Sequence, residues 1–414
     1  MKFSKTSQLF LVSALGLVVA TALTACQIVT IDYVFVASQG TPGADSNGMI
    51  ETFAADSESG ALRDVSKQIS SGGVNPVSMA VTSDYANLYV ANAGDEGGGT
   101  VAHFTIAVDG TLTAKDALSL SDSPVAVAVN ATGTYLYVVS GTTSATLTAY
   151  SLSSGTIGSA VATMPLTIPG NESDSVVPTN VAVLANGTDV YATAYDQSAY
   201  NPGGTTTSNA HPGWIWSFQV GSGGALTAAN GSPFQAGVKP VALATDPTSR
   251  FVYVADYASN QLVGYSVQSE GELNFLINGP FKTGNEPQAV AIDPRGIYMY
   301  VADALDSAVS SYTIDRATGT PALAVNTTGS SNASSDTEPV AIAVDPALGR
   351  FVYTANILGN SVSGFRLNPD TGAITQTQAT PYPTGSSGTG AGGQRPSALV
   401  IVPHGNHAVQ VTAP

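Results

Sequence analysis

One pattern constrains this chain more than any other. A Pro followed by alternating small and apolar residues is written seven times. It reads Pro76-Val77-Ser78-Met79-Ala80-Val81 first, and recurs from Pro124, Pro178, Pro240, Pro287, Pro339 and Pro396. The intervals are 48, 54, 62, 47, 52 and 57 residues. Self-similarity at such a period marks a repeat architecture, in which no single unit buries its apolar faces alone. Most copies lead into a turn: Asp246-Pro247, Asp293-Pro294, Asp345-Pro346 or Asn130–Gly133. There an Asp or Asn side chain can close the turn while Pro presets φ. A Tyr-rich run follows, such as Val252-Tyr253-Val254-Ala255-Asp256, then a third apolar run, a Gly-containing tight turn and a fourth. The alternation has period two, so each run reads as a strand. Four short antiparallel strands in roughly fifty residues, repeated radially, predict an all-β fold, a seven-bladed β-propeller. Length alone would suggest two or three domains; the repeat makes it one.

The termini predict how the ring closes. Tyr33–Ser38 reads as a second strand with no first strand ahead of it, and Pro396–Val402 reads as that missing strand. Pairing the two would leave no open sheet edge. His407–Thr412 is left over. It resembles another second strand, which could compete with Tyr33–Ser38 or pack outside the ring.

Residues before the repeats look like an address. Met1–Lys5 is basic, Leu9–Leu23 is apolar, and Leu23-Thr24-Ala25-Cys26 resembles the bacterial lipobox. Cys26 is the only cysteine. The expectation is a lipoprotein signal peptide over 1–25, a short tether over 26–32 and one propeller domain over 33–414. The membrane is then a partner through a lipid anchor at Cys26. Gln27 in place of Asp points to the outer membrane. A monomer is expected.

Composition excludes several classes. Only 10% of residues are charged, and 29 acids face 13 bases, for a net charge of −16. Nucleic-acid binding needs basic patches, and none is written here. A coiled coil would need Ala, Glu, Lys, Leu and Arg to dominate.

The combination of Pro-x-Ala-apolar, Tyr-Val-x-Asn/Asp and Asp-x-x-Thr-Gly-x-Leu, the last exemplified by Arg366–Ile374, resembles the lactonase-type and YVTN-type seven-bladed propellers over residues 33–402. That family includes bacterial 6-phosphogluconolactonase and fungal muconate lactonizing enzyme. The resemblance implies a site built from a His-containing stretch in a middle blade with nearby Arg and Glu. The matching stretch here, Val177–Val183, carries no His.

In a propeller, the loops after each second strand and those before each first strand share one face. On that face Asn92, Asp95, Asp196, Trp214, Asp256, Asp303 and Asn356 are candidate ligand-binding residues. Second-strand ends of this type also use Asn or Asp simply to cap a turn. The longest loop, Tyr195–Gly213, carries Tyr195, Tyr200 and His211 into Trp214, and reads either as a recognition element or as a solvated insertion. Lys239 and Arg395, with His211, could hold an anionic lactone while Glu286 activates water. The bland alternative is rim charges offsetting local acids. No cofactor is expected; Ca²⁺ on the acidic loops is the one candidate metal. Two function classes remain. The residues favour an envelope-anchored module binding a protein, glycan or small ligand. The alternative is a lactonase acting on a sugar-acid lactone.

Overall fold

A computed structural model describes residues 29–40, 48–65, 67–95, 98–199, 212–385 and 395–405. Cys26, His211, the 200–211 part of the long loop and His407–Thr412 lie outside the described residues. Seven antiparallel sheets form. Blade 1 comprises Pro396–Pro403, Thr30–Ser38, Met49–Asp56 and Leu62–Asp64. Blades 2 to 7 begin with Pro76–Val81, Pro124–Val129, Val176–Val183, Pro240–Thr245, Pro287–Ile292 and Pro339–Val344. These first strands neighbour one another in that order, and the last meets Pro396–Pro403, so the ring closes. Small residues on the first strands let seven of them crowd round the axis.

Closure runs as the termini predicted. Thr30–Ser38 pairs antiparallel with Pro396–Pro403, Val36 opposite Leu399. The strand starts before residue 33, however. Ile31 and Asp32, expected in the tether, are buried in the sheet, because Ile31 packs with Phe351, Tyr353 and Ala347 of blade 7. The outermost strand also departs from the simple repeat. It is continuous in blades 2 and 3, as Leu112–Leu120 and Thr156–Pro165, but broken into two short pieces in the other five.

Each seam between blades is built from one glycine. The turn between third and fourth strands holds Gly60, Gly110, Gly155, Gly224, Gly271, Gly319 or Gly372, all with φ between 69° and 85°. A Cβ there would also collide with the residue at the start of the preceding blade's second strand: 2.3 Å from Phe351 at Gly60, and 2.4 Å from Phe251 at Gly319. The strands of the ring can approach only where Cβ is missing. The second-strand tyrosine then ties the same turn. Tyr89, Tyr253, Tyr300 and Tyr353 donate to the carbonyls of Gly155, Gly319, Gly372 and Gly60 at 2.6–2.9 Å. The last of these crosses the closing seam.

The Asp-Pro turns are structural, as their composition predicts. Asp246 accepts from the Arg250 and Phe251 amides at 2.7 Å, and Asp293 from those of Ile297 and Tyr298 at 2.8 Å. Asp345 accepts from Ala347, Leu348 and Arg350.

Candidate active site

The opposite end of the ring carries the loop face. In every blade the amide just after the second strand donates to a carbonyl just before the first strand. The acceptors are Arg395, Asn75, Ser123, Ser175, Lys239, Glu286 and Glu338, going round from blade 1 to blade 7. This tie brings one side-chain position per blade to the rim of the channel. Two of the seven are cationic and two anionic. Glu286, Glu338 and Arg395 are held in the left-handed region, with φ of 54°, 58° and 48°. That conformation costs a non-glycine residue about 1–2 kcal/mol. The Asn260 side-chain oxygen accepts the Glu286 amide at 2.8 Å, and that of Asn360 accepts the Arg395 amide at 3.1 Å. Asn75 shares the conformation in blade 2, with φ of 58°, so it belongs to the tie itself.

Lys239 is the most structured of these groups. Its amide donates to the Asp256 carboxylate at 2.8 Å, and its carbonyl accepts from Tyr257 at 2.9 Å. Its half-buried ammonium sits 4.6 Å from the Tyr257 ring centroid and 5.7 Å from that of Tyr195. Burial lowers the Lys239 pKa from its usual 10.5, and the Glu286 carboxylate on the next blade partly opposes that. The two rings favour the charged form by cation–π attraction. Lys239 and Glu286 thus hold the tie positions of adjoining blades, near enough for the carboxylate's charge to act on the ammonium. Arg395 lies three blades away from Lys239 round the ring, with Glu286 and Glu338 at the tie positions between them. Tyr257 escaped the sequence reading. Its signal was an aromatic residue where the equivalent loop positions are Ala304 and Ile357.

Five of the seven candidate ligand-binding residues serve as caps instead. Asn92, Asp196, Asp256, Asp303 and Asn356 are all buried at second-strand ends and engaged by their own chain. Asp256 takes the Val238 and Lys239 amides and the Gln261 side chain. Asp196 accepts from the Ser198 and Ala199 amides. Asn92 bonds Ser71 and Thr100, and Asn356 bonds Thr354, Ser361 and Ser363. Asp303 accepts from the Ser310 hydroxyl at 2.5 Å, and burial pushes it up to about 7. The capping reading wins because neighbouring loops bring backbone and hydroxyl donors to these positions. Gly73, Gly237 and Gly284 in the incoming loops make room for three of the five side chains. Asp95 stays exposed on the face. Trp214 is half-buried against the core of blades 3 and 4.

His103 is buried, bonded to Asp116 at 2.6 Å and Asn87 at 2.9 Å, and stacked on Tyr89. This makes it part of a polar seam between blades 2 and 3. A cavity of about 360 Å³ at the outer strands of blades 4 and 5, lined by Val263, Phe275, Leu276 and Pro280, holds no titratable group. Among the described residues no three His, Cys, Asp or Glu side chains gather as a metal site, and no helix is long and apolar enough to cross a membrane.

A family profile described as a lactonase, seven-bladed β-propeller, matches residues 36–192 and 163–409. The chain belongs to the seven-bladed lactonase propeller family. Solved structures carry the same fold. The periplasmic gluconolactonase of Pseudomonas aeruginosa superposes with a TM-score of 0.71 at 18% identity, over 90% of this chain and 99% of that one. A candidate 6-phosphogluconolactonase of Bacteroides uniformis gives 0.69 at 17%, over 90% and 100%. Hydrazine synthase of Kuenenia stuttgartiensis also matches, at 0.56 and 14%, over 79% and 98%. Likeness at this level fixes the fold and leaves the chemistry to the site. Comparison with curated proteins finds no sequence match.

Proposed function

We propose that this lactonase-family propeller hydrolyses lactones at the channel mouth, at the edge where blades 5 and 6 meet. The observation that carries the reading is the Lys239 ammonium, held half-buried over two tyrosine rings, with Glu286 at the equivalent position of the next blade. Glu286 takes a proton from water, and the resulting hydroxide attacks the lactone carbonyl. The Lys239 ammonium stabilises the oxyanion that forms; a single preorganised donor of this kind is worth roughly 10²–10³ in rate. The ring C–O bond then breaks, and Glu286 returns its proton to the departing alkoxide, yielding the hydroxy acid. The binding-module reading loses its footing, because five of the seven loop-face residues that would serve it are consumed inside the blades.

The place of action is the cell envelope, supported by the leader ahead of Cys26 and by the periplasmic neighbour. Lipid attachment at Cys26 and the outer membrane complete this reading. Cys26→Ser should release the chain into the soluble fraction; an unchanged membrane fraction would count against the anchor.

The enzymatic test is a lactone panel followed by pH-stat, with Lys239→Met and Glu286→Gln beside the parent. The parent should exceed buffer on at least one lactone, and each variant should lose about a hundredfold in kcat. A parent that only matches buffer refutes the activity. Variants that keep the parent rate refute the site.

A further inference from the structure

The charges around the mouth restrict which lactone can enter. Of thirteen Lys and Arg residues, Lys2 and Lys5 precede the ring. Among the rest, Arg250, Arg295, Arg316, Arg350 and Arg366 sit at the end of the Asp-Pro turns. Four more lie along the outer strands or between them. Lys239 and Arg395 are the two cations at the mouth.

Recognition of a phosphate ester relies on clustered cations, above all on bidentate arginine. Here the two cations stand three blades apart, and the rim positions between them are Glu286 and Glu338. Outside these two glutamates Asp306 accepts the Asn285 amide and Asp336 the Ser361 hydroxyl, and Lys282 lines the same hollow as Asp306. Lys239 is already committed to the carbonyl oxygen. Arg395 has Glu338 at the equivalent position of the adjoining blade. The rim has no net positive charge to offer a dianion, and the chain as a whole is strongly acidic.

We infer that the site selects uncharged lactones and rejects phosphorylated ones. This rests on the lactonase reading above. Its own content is the sign of the field at the mouth, which repels anionic substrates before contact.

The test compares D-glucono-1,5-lactone with its 6-phosphate, by kcat/KM at low and high salt. The neutral lactone should be preferred at least thirtyfold. Its rate should hold between low and high salt, whereas that of the 6-phosphate should rise as salt screens the carboxylates. Glu338→Lys should shift the ratio at least tenfold toward the phosphate. Equal or better turnover of the 6-phosphate overturns the inference, as does a ratio unmoved by Glu338→Lys. If neither compound is hydrolysed, the activity fails, and a binding arm still reads selectivity. In that arm calorimetry compares gluconolactam with its 6-phosphate; tighter binding of the phosphate overturns the inference, and preference for the neutral lactam supports it.

Discussion

Asp32→Asn should stabilise this protein, and more so as pH rises. The Asp32 carboxyl is 0% exposed at the closing seam, facing Asp345, with Tyr85 and Tyr353 close enough to feel its charge. Asp345 already accepts three backbone amides, and both Asp32 carboxyl oxygens are buried without a hydrogen-bond partner. Burial, then the charge of Asp345, pushes Asp32 up to about 9 from 3.8. The folded chain therefore keeps a proton that the unfolded chain releases above about pH 4. Stability from this group is full below that point and is lost as pH climbs toward 9. At pH 7.5, the gap to 3.8 multiplied by 1.36 kcal/mol per pH unit puts the cost of retaining the proton at about 5 kcal/mol. An asparagine of the same shape has no carboxyl proton to retain and so avoids that cost. Relaxation of the seam absorbs part of the gain, so about 2–5 kcal/mol is expected at pH 7.5. Denaturant unfolding at pH 5.0 and pH 8.5 reads it directly. The gain should be small at the lower pH and several-fold larger at the higher. A gain that does not grow with pH, or a loss at pH 8.5, would show that Asp32 is not held protonated.

Other expectations test the seams and the site. Tyr353→Phe removes the hydroxyl that donates to Gly60 and should cost about 1 kcal/mol in thermal or denaturant unfolding. Tyr137→Phe, whose hydroxyl is buried without a partner, should be neutral or slightly stabilising. Gly319→Ala combines a φ of 73° with a Cβ 2.4 Å from Phe251 and should cost about 3 kcal/mol or prevent folding. Alkaline loss of lactone hydrolysis, corrected for spontaneous opening, should follow Lys239 and set in below pH 10.5. In Lys239→Arg that limb should vanish, because a guanidinium stays charged. A limb that persists would assign it to another group.

The ring was legible because its signals are local. Pro at the start of a first strand, Asp-Pro in the next turn and Gly in the outer turn each act within a few residues, so spacing alone exposed seven blades. Closure was legible too, since one unit lacked a first strand and another lay spare at the far end. The loop face was harder. Whether Asp256 faces a ligand or a backbone depends on the amides of Val238 and Lys239, which arrive from an earlier loop and leave no mark in the Tyr-Val-Ala-Asp string. Asp32 was misplaced for the same reason. Its surroundings come from blade 7, at the other end of the chain. Lys239 was found by charge, but its partner Tyr257 needed the fold, since the backbone tie that brings the two together joins different loops.

The closing pairing also has a place in time. Ser397 bonds the carbonyl of Ala37 across 360 residues of sequence, so a strand made late must dock beside one made much earlier. Contacts of such range form slowly. Until the final strand is delivered, the first blade shows a bare edge, which invites pairing with other chains. A chain that stalls or is clipped before Pro396 is therefore left as an open arc with that edge exposed, and association between such arcs becomes the competing fate.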